Sequence, residues 1–473
     1  MNREPSLDAL RGIAILGMVL SGSIAFGGVL PAWMYHAQVP PPLHQFDPSL
    51  PGITWVDLVF PFFLFSMGAA FPLSLRGAID QNKNTRYFVR LAAIRFFLLA
   101  FFALFTQHMK AWVIAPAPGT KEQLFSLLAF VLLVGIFYRS WKGLQDSYRH
   151  WIPIGCLVIA VLLLGLLPFH NGKGFDLYKS DIILMVLANM AFFGSLIYFF
   201  TAKRPVLRLL ILPVVAAIIL SARESADNPV KSFFTFQELA GFRFDWLYKF
   251  YFLKYLFIVI PGTLAGEWMM HPTWAQAASR SPIQKGSYGA IALLLLLGLL
   301  LSLSYRDHPL AGKGFSLWAL YFCCSMLFWY WLRRTSSLLA LQRMVQAGLF
   351  LLLIGLLLDP YEGGIKKDPS TFSYYFVCSG LAFLILPLLK MLGENTFLRT
   401  TMAWLQDVGK NPMLAYVAGS LLILPVLSLT GLKPFWDSMV QTPWQGLLKG
   451  VLLTGVVMYI TRFSVKKKWF WKT

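Results

Sequence analysis

Two histidines and an aspartate lie close together in the N-terminal part of the chain. His36 and His44 lie in a proline-rich stretch, residues 31–54, and Asp57 follows it in the string GITWVDLVFP. Histidine is the side chain best suited to proton transfer near neutral pH. A carboxylate at the edge of an apolar run is costly to bury and needs a partner. The pattern allows a general base, but an ordinary loop histidine and a structural aspartate explain it equally well.

A second polar pair lies nearer the start of the chain. Asp8 and Arg11 are three residues apart in the string SLDALRG, so they lie on one face at the start of a predicted helix. A helix cap with an arginine that extends its side chain to the membrane surface explains the pair. A cationic contact for a phosphate-bearing substrate is the functional alternative.

The composition excludes an ordinary water-soluble domain. The 473 residues are 57% hydrophobic and only 13% charged, whereas a soluble domain has roughly 25% charged residues. Apolar runs such as 152–169 and 287–303 contain no charged side chain. A bilayer core about 30 Å thick needs about 20 such residues per helix. The sequence therefore predicts an all-α polytopic membrane protein, because these runs are too long and uniformly apolar for barrel strands.

The apolar windows predict about fourteen transmembrane helices. The windows cover residues 9–30, 55–75, 90–107, 122–138, 151–168, 182–200, 206–221, 251–268, 287–304, 315–332, 345–358, 374–392, 411–429 and 446–462. Most Lys and Arg residues then lie on the side of the N-terminus, so the positive-inside rule predicts that both termini are cytoplasmic. The first window has no cleavage motif, so we interpret it as a membrane helix rather than a signal peptide.

The net charge and the cysteines argue against two further classes. The net charge of +20 comes from basic residues spread over many short loops, which favours membrane topology and contact with anionic lipids over nucleic-acid binding. The four cysteines lie inside apolar runs without metal-type spacing. The sequence therefore predicts neither a disulfide framework nor a metal site.

No soluble domain is predicted, and we interpret residues 1–473 as a single transmembrane domain. The longest stretches outside the membrane, 31–54 and 223–250, are both predicted on the outer side. The prolines of the first stretch predict a rigid loop rather than a helix. In the window 251–268, the Pro261-Gly262 pair and Gly266 predict a kink or close helix packing.

Several strings resemble heparan-α-glucosaminide N-acetyltransferase and its bacterial relatives. They are LDALRGIAILGMVL, GITWVDLVFPFFLFSMG, STFSY ending at Tyr374, GKNPMLAY ending at Tyr416, and the C-terminal KKKWFWK. The resemblance is strongest over 6–75 and 366–473, with extra helix pairs predicted within 120–170 and 305–360.

The resemblance implies a multi-pass acetyltransferase of the inner (cytoplasmic) membrane. Such enzymes take acetyl from cytosolic acetyl-coenzyme A and deliver it to an amino sugar or related glycan on the periplasmic side, and the family suggests a homodimer. The catalytic histidine corresponds to His44, with His36 the alternative because this loop is longer. Its imidazole would act as a base or as a transient acetyl carrier. Asp57 belongs to the same motif, and no metal is implied.

The resemblance also directs attention to polar residues along the chain. Ser21 and Ser23 stand where the family has an asparagine, so a hydroxyl would have to act as the oxyanion donor. Asn189 falls where the family has a glutamine–arginine pair. The coenzyme A phosphates need cytoplasmic cations, and helix starts favour anions. The candidates on these grounds are Arg11 with its partner Asp8, Arg76, Arg90, Arg95, Lys410 and Asn411.

Two alternatives remain open at this stage. A secondary transporter or a flippase of a glycan or glycolipid also has many helices, kinks and a few buried charges. The sequence has no evident inverted repeat, which counts against that alternative. A catalytically altered member of the acetyltransferase family would explain the two departures from the family pattern.

Overall fold

The computed structural model describes residues 3–24, 30–138, 146–222, 228–239, 241–276, 339–394, 398–440 and 442–472. Within these ranges the regular secondary structure is almost entirely helical. The α-helices are α1 Pro5–Ser23, α2 Trp55–Asp80, α3 Thr85–His108, α4 Ala111–Ile114, α5 Thr120–Phe137, α6 Asp146–Leu166, α7 Phe169–Gly172, α8 Ile182–Thr201, α9 Pro205–Ser221, α10 Pro229–Phe234, α11 Leu256–Met269, α12 Pro272–Gln276, α13 Leu339–Leu358, α14 Phe372–Glu394, α15 Arg399–Lys410, α16 Pro412–Val417, α17 Leu424–Leu429, α18 Lys433–Ser438 and α19 Pro443–Lys466.

Shorter elements of other kinds connect these helices. Two 3-10 helices cover Ala32–Met34 and Phe250–Tyr255, and a π-helix, Ala418–Ile423, joins α16 to α17. The strands described are β1 Glu238–Leu239 and β2 Phe242–Arg243, an antiparallel pair in which Glu238 lies opposite Arg243.

Ten helical segments within the described ranges are long and apolar enough to cross a membrane. Each overlaps a predicted apolar window, and two shorter apolar helices, Trp151–Leu166 and Pro205–Ser221, lie at two further windows. The predicted windows 287–304 and 315–332 lie outside the described residues. The prediction of an all-α, membrane-embedded, polytopic chain is confirmed at this level.

The helices group into two compact units. The first unit contains Met1–Ser21, Phe26–Gln81 and Phe257–Gly409. The second contains Gly22–Ala25, Asn82–Leu256 and Lys410–Thr473. The proline-rich loop, Asp57 and the Asp8–Arg11 pair all belong to the first unit, which therefore contains the principal sequence candidates.

Helices α2 and α11 of the first unit pack closely through small residues. A Cβ atom on Gly68 would lie 2.2 Å from the Val259 carbonyl oxygen, and one on Gly262 would lie 2.4 Å from the Phe65 carbonyl oxygen. A Cβ atom on Gly266 would likewise lie 2.2 Å from the Ala69 carbonyl oxygen. The close packing predicted for Gly262 and Gly266 is confirmed, because no larger side chain fits between these two backbones.

The SLDALRG motif and the first residue of the GKNPMLAY motif meet in the first unit. Gly12 of α1 faces the backbone of α15, and a Cβ there would lie 2.0 Å from the Leu405 carbonyl oxygen. Gly409, at the end of α15, faces back, with a Cβ position only 1.7 Å from the Asp8 carbonyl oxygen. Glycine is required at both positions, because the backbones of α1 and α15 touch.

Candidate functional site

Asp57 lies at the start of α2 and is completely buried. Its Oδ2 atom accepts hydrogen bonds from the backbone N–H of Thr54 at 3.0 Å, the hydroxyl of Thr54 at 3.1 Å and the backbone N–H of Ala37 at 3.1 Å. The Thr54 bond forms a capping box, which explains why the helix begins at Trp55. Asp57 therefore holds the proline-rich loop against the first turn of α2.

The buried carboxylate has a partner, as a carboxylate at the edge of an apolar run requires, and the partner is His36. Its Nε2 atom lies 3.1 Å from Asp57 Oδ1, while Nδ1 accepts the backbone N–H of Gln38 at 3.0 Å. Because Nδ1 is an acceptor, the proton of the neutral imidazole is assigned to Nε2, the nitrogen that faces the carboxylate. Both ring nitrogens of His36 are thus engaged within the protein.

A lysine far along the chain completes this cluster. Lys367 lies in the loop between α13 and α14, with its Nζ 3.8 Å from Asp57 Oδ1. The loop is fastened by Gln38, whose Nε2 donates to the Asp368 carbonyl at 2.6 Å and whose Oε1 accepts the Asp368 N–H at 2.9 Å. The buried carboxylate is therefore compensated by one cation, one imidazole and three hydrogen-bond donors.

The backbone carbonyl of Asp57 has its own partner. Pro61 lies four residues later in α2 and has no N–H, so the Asp57 carbonyl loses its usual helical donor. The hydroxyl of Tyr374, on α14, donates to this oxygen at 2.7 Å. Tyr374 is fully buried, so both the side chain and the main chain of Asp57 are fixed from outside its own helix.

His44 lies elsewhere in the same loop. Its φ angle of 49° is left-handed, a conformation uncommon for residues other than glycine. Its ring packs edge-on against Tyr35 with centroids 4.5 Å apart, and both ring nitrogens are buried. Desolvation raises the pKa of the Tyr35 hydroxyl. The other titratable residue of this loop segment, Asp47, binds Ser49, whose hydroxyl and backbone N–H lower its pKa.

The Asp8–Arg11 pair forms as its spacing predicts. Arg11 NH1 lies 3.0 Å from Asp8 Oδ1, and its NH2 donates to the Ser66 carbonyl of α2 at 3.1 Å. About a fifth of the Arg11 side chain is exposed. Arg11 therefore ties α1 to α2, and its binding of a phosphate stays a prediction.

The two candidate serines lie in the last turns of α1. Ser21 donates its hydroxyl to the Met18 carbonyl of its own helix at 3.0 Å, a common way for a serine to be satisfied in a membrane helix. Ser23 is the last residue of α1. Both side chains are half-buried, and their role as oxyanion donors stays a prediction.

The remaining candidates for coenzyme binding fall into surface and buried groups. Arg76 is exposed and pairs with Asp80 at 3.6 Å, Arg90 is exposed, and Arg95 and Lys410 are half-buried. Asn189 is buried and donates to the carbonyls of Met185 and Leu247, both at 2.9 Å. A phosphate contact at these side chains stays a prediction, and the hydrogen bonds of Asn189 give it a structural role.

Asn411, the predicted anion-binding residue at a helix start, is also buried. Its Nδ2 donates to the Ser464 hydroxyl at 3.1 Å and to the Trp469 carbonyl at 2.8 Å, and its Oδ1 accepts the Trp471 N–H at 3.2 Å. The side chain thus binds the C-terminal segment of the chain, and its contact with a bound anion stays a prediction.

The structure brings His36, rather than His44, into contact with Asp57. It adds three residues that sequence reasoning missed as site residues: Lys367, Gln38 and Tyr374. Tyr374 ends the string STFSY, and the i+4 relation of Asp57 to Pro61 signals a carbonyl in need of a donor. Nothing in the sequence points to Lys367, which is one of many loop lysines.

In a comparison with known protein families, residues 3–269 match the family described as Domain of unknown function (DUF5009). The match covers more than half of the chain and includes the proline-rich loop, Asp57 and Arg11. No curated protein matches the chain.

Proposed function

We propose that this chain, which belongs to the DUF5009 family, is a transmembrane acetyltransferase. In this proposal it resembles heparan-α-glucosaminide N-acetyltransferase, with about fourteen helices in the inner membrane and both termini in the cytoplasm. The donor is cytosolic acetyl-coenzyme A, and the acceptor is an amino sugar or related glycan on the periplasmic side.

The observation that carries the proposal is the contact between a loop imidazole and a buried helix-start carboxylate. His36 Nε2 lies 3.1 Å from Asp57 Oδ1, in a loop that also carries His44. The contact of His36 with Asp57 is enough to hold the loop in place. The second histidine, His44, has a left-handed backbone conformation and buried ring nitrogens, which suit a functional role. Arg11, at the opposite end of α1 from the loop, suits the phosphates of the donor.

The chemistry required is the transfer of an acetyl group to an amine. The amine nitrogen attacks the thioester carbonyl, the carbon–sulfur bond breaks, and coenzyme A leaves as a thiolate. The proton released by the amine passes to an imidazole and from there to the thiolate, a contribution typically of about 10²–10⁴-fold. In the alternative route the imidazole nitrogen takes the acetyl group as the carbon–sulfur bond breaks, and the amine then displaces the imidazole, which breaks the acyl–imidazole bond.

Of the two histidines, His44 is the proposed base or carrier. Both nitrogens of His36 are engaged, by Gln38 and by Asp57, so His36 would have to give up the Gln38 bond before accepting a proton. We assign His36 and Asp57 to positioning of the loop, and His44 to proton transfer. Ser21 or Ser23 is the proposed donor to the oxyanion.

The donor pocket is proposed on the cytoplasmic side. Arg76, Arg90, Arg95 and Lys410 are its further cationic candidates, since arginine and lysine suit the pyrophosphate and the 3′-phosphate. Asn189 stands in the position of the family's glutamine–arginine pair, so its contacts would differ from those of the family. A homodimer in the membrane is part of the same proposal.

The test is acetyl transfer by purified protein in sealed proteoliposomes. Acetyl-coenzyme A is supplied on one side and amino sugars on the other, and the acetylated acceptor is measured. His44→Ala should lower the rate by about 10²–10⁴-fold, whereas His271→Ala, at an exposed histidine outside the loop, should leave it unchanged.

Three outcomes of this assay count against the assignment. Undiminished transfer by His44→Ala removes His44 from the mechanism. A loss in His36→Ala alone, with normal folding, moves the base to His36. Flux of a glycan without coenzyme A, and no transfer by the wild type to any amino sugar, would favour the transporter or flippase.

A further inference from the structure

Helix α19 ends in a cluster of three consecutive lysines. Lys466, Lys467 and Lys468 follow one another at the end of α19, and all three are exposed. The chain then turns back, because Lys468 adopts a left-handed φ of 63° and the Trp469 N–H bonds to the Ser464 carbonyl at 2.8 Å. We call residues 464–472 the C-terminal hook.

The C-terminal hook is held against other residues of the second unit by hydrogen bonds and ring packing. Asn411 makes three hydrogen bonds to it, at Ser464, Trp469 and Trp471. The Trp471 ring is buried and lies 6.0 Å from the rings of both Phe130 and Phe137 of α5. These contacts hold the backbone on both sides of the three lysines, so the three side chains start from fixed positions at the end of α19.

An exposed apolar stripe leads along α19 to the lysines. It is formed by residues three or four apart, which therefore share one helix face. Its members are Leu448, Leu452, Val456, Tyr459 and Phe463, each between 44% and 63% exposed. In a membrane helix such a face contacts lipid chains. The stripe ends where Phe463 packs edge-on against Trp469, with centroids 6.0 Å apart.

The aromatic pair and the lysines together have the chemistry of a lipid site at the membrane surface. Trp and Tyr concentrate at the level of the lipid headgroups, and Trp469 is 47% exposed. Lys467 Nζ lies 5.8 Å from the centroid of the Phe463 ring, so a cation is placed directly over the end of the apolar stripe. Clustered lysines next to a membrane helix attract anionic headgroups.

We propose that the C-terminal hook binds the phosphate of an anionic phospholipid, whose acyl chain lies along the apolar stripe of α19. The stripe is continuous with the lysines, and a soluble phosphate compound would make no use of it. The apolar stripe beside the lysines therefore favours a lipid over coenzyme A as the ligand. The inference does not depend on acetyl transfer, because it uses only residues of α5, α16 and α19 and the hook.

The test is lipid retention by the full-length protein, measured by native mass spectrometry after detergent extraction. Phosphatidylglycerol is added at increasing concentration, with phosphatidylcholine as the zwitterionic comparison. The triple variant Lys466→Gln, Lys467→Gln, Lys468→Gln should weaken phosphatidylglycerol binding by roughly 100-fold, from about 1 kcal/mol per lysine. Phosphatidylcholine binding should be weak and unaffected.

The matched control variant also removes three positive charges, but at lysines outside the C-terminal hook. Lys121→Gln, Lys173→Gln, Lys179→Gln neutralises three exposed lysines away from the C-terminal hook and should retain phosphatidylglycerol as the wild type does. Trp469→Ala, which keeps all three lysines, should weaken binding less than the triple variant. Equal retention by wild type and the hook variant would overturn the proposal. So would displacement of phosphatidylglycerol by equimolar coenzyme A, which would make the lysines a nucleotide site.

Discussion

The hydroxyl of Tyr374 donates a 2.7 Å hydrogen bond to the backbone carbonyl of Asp57, the one carbonyl that Pro61 deprives of a helical donor. A second hydroxyl of α14 plays the same part for a carbonyl of α11. Pro261 leaves the Phe257 carbonyl of α11 without its donor, and Ser379 supplies a hydroxyl to it at 3.0 Å. Helix α14 thus supplies a hydroxyl to the carbonyl that Pro61 leaves without a donor in α2 and to the one that Pro261 leaves without a donor in α11.

Tyr374→Phe should destabilise the protein. The substitution removes only the hydroxyl and leaves a buried carbonyl unsatisfied, at a cost of about 1–3 kcal/mol. We expect a lower melting temperature in detergent, measured by tryptophan fluorescence. Pro61→Ala provides the matched control, because alanine restores the N–H to the Asp57 carbonyl. In the Pro61→Ala background, Tyr374→Phe should cost much less, and an equal cost in both backgrounds would contradict this account.

The helical, membrane-embedded nature of the chain was predictable because each span needs a long apolar run, and such runs are visible without any long-range information. The candidate site was predictable only in part. The loop histidines and Asp57 are close in sequence, but which histidine turns toward the carboxylate depends on loop conformation. Lys367 comes from more than 300 positions later, and its approach to Asp57 follows from helix packing, which has no local signal.

The glycines of the two terminal motifs give a second test of helix packing. Gly12→Ala and Gly409→Ala each place a Cβ within 2.0 Å of a backbone oxygen, so α1 and α15 must move apart. We expect both variants to lose several degrees of melting temperature, or to fail to accumulate in the membrane. Gly77→Ala is the matched control, since nothing lies within 4 Å of its Cβ position in α2. That variant should be neutral or up to about 1 kcal/mol more stable, and a comparable loss there would show that the effect is not steric.

The ion pair of Lys367 with Asp57 should show strong energetic coupling. Asp57→Asn keeps the shape of the side chain but leaves the Lys367 charge without its carboxylate, and Lys367→Met removes the cation. Because the Lys367 side chain is about a fifth exposed, breaking the pair from one side should cost less than the about 3–5 kcal/mol of a fully buried pair, and the double variant should be more stable than the sum of the single losses predicts. The measurement is a double-mutant cycle of unfolding free energies. Arg76 and Asp80, both more than 60% exposed, form the comparison pair and should couple by about 0–1 kcal/mol.

Asn411 gives a final prediction, which concerns the order of the C-terminal hook. Asn411→Asp keeps the size of the side chain and the acceptor for the Trp471 N–H, but it loses both donated bonds and places an anion near the Trp469 carbonyl. The amides of Trp469, Trp471 and Lys472, all hydrogen-bonded in the wild type, should then exchange with deuterium about 10- to 100-fold faster, since each lost bond contributes about 0.5–1.5 kcal/mol. Hydrogen exchange in α14 serves as the internal control and should not change. If the hook amides kept their wild-type protection, the contacts of Trp471 and Lys472 with α5 would be sufficient to hold the hook, and the account of Asn411 as its anchor would be wrong.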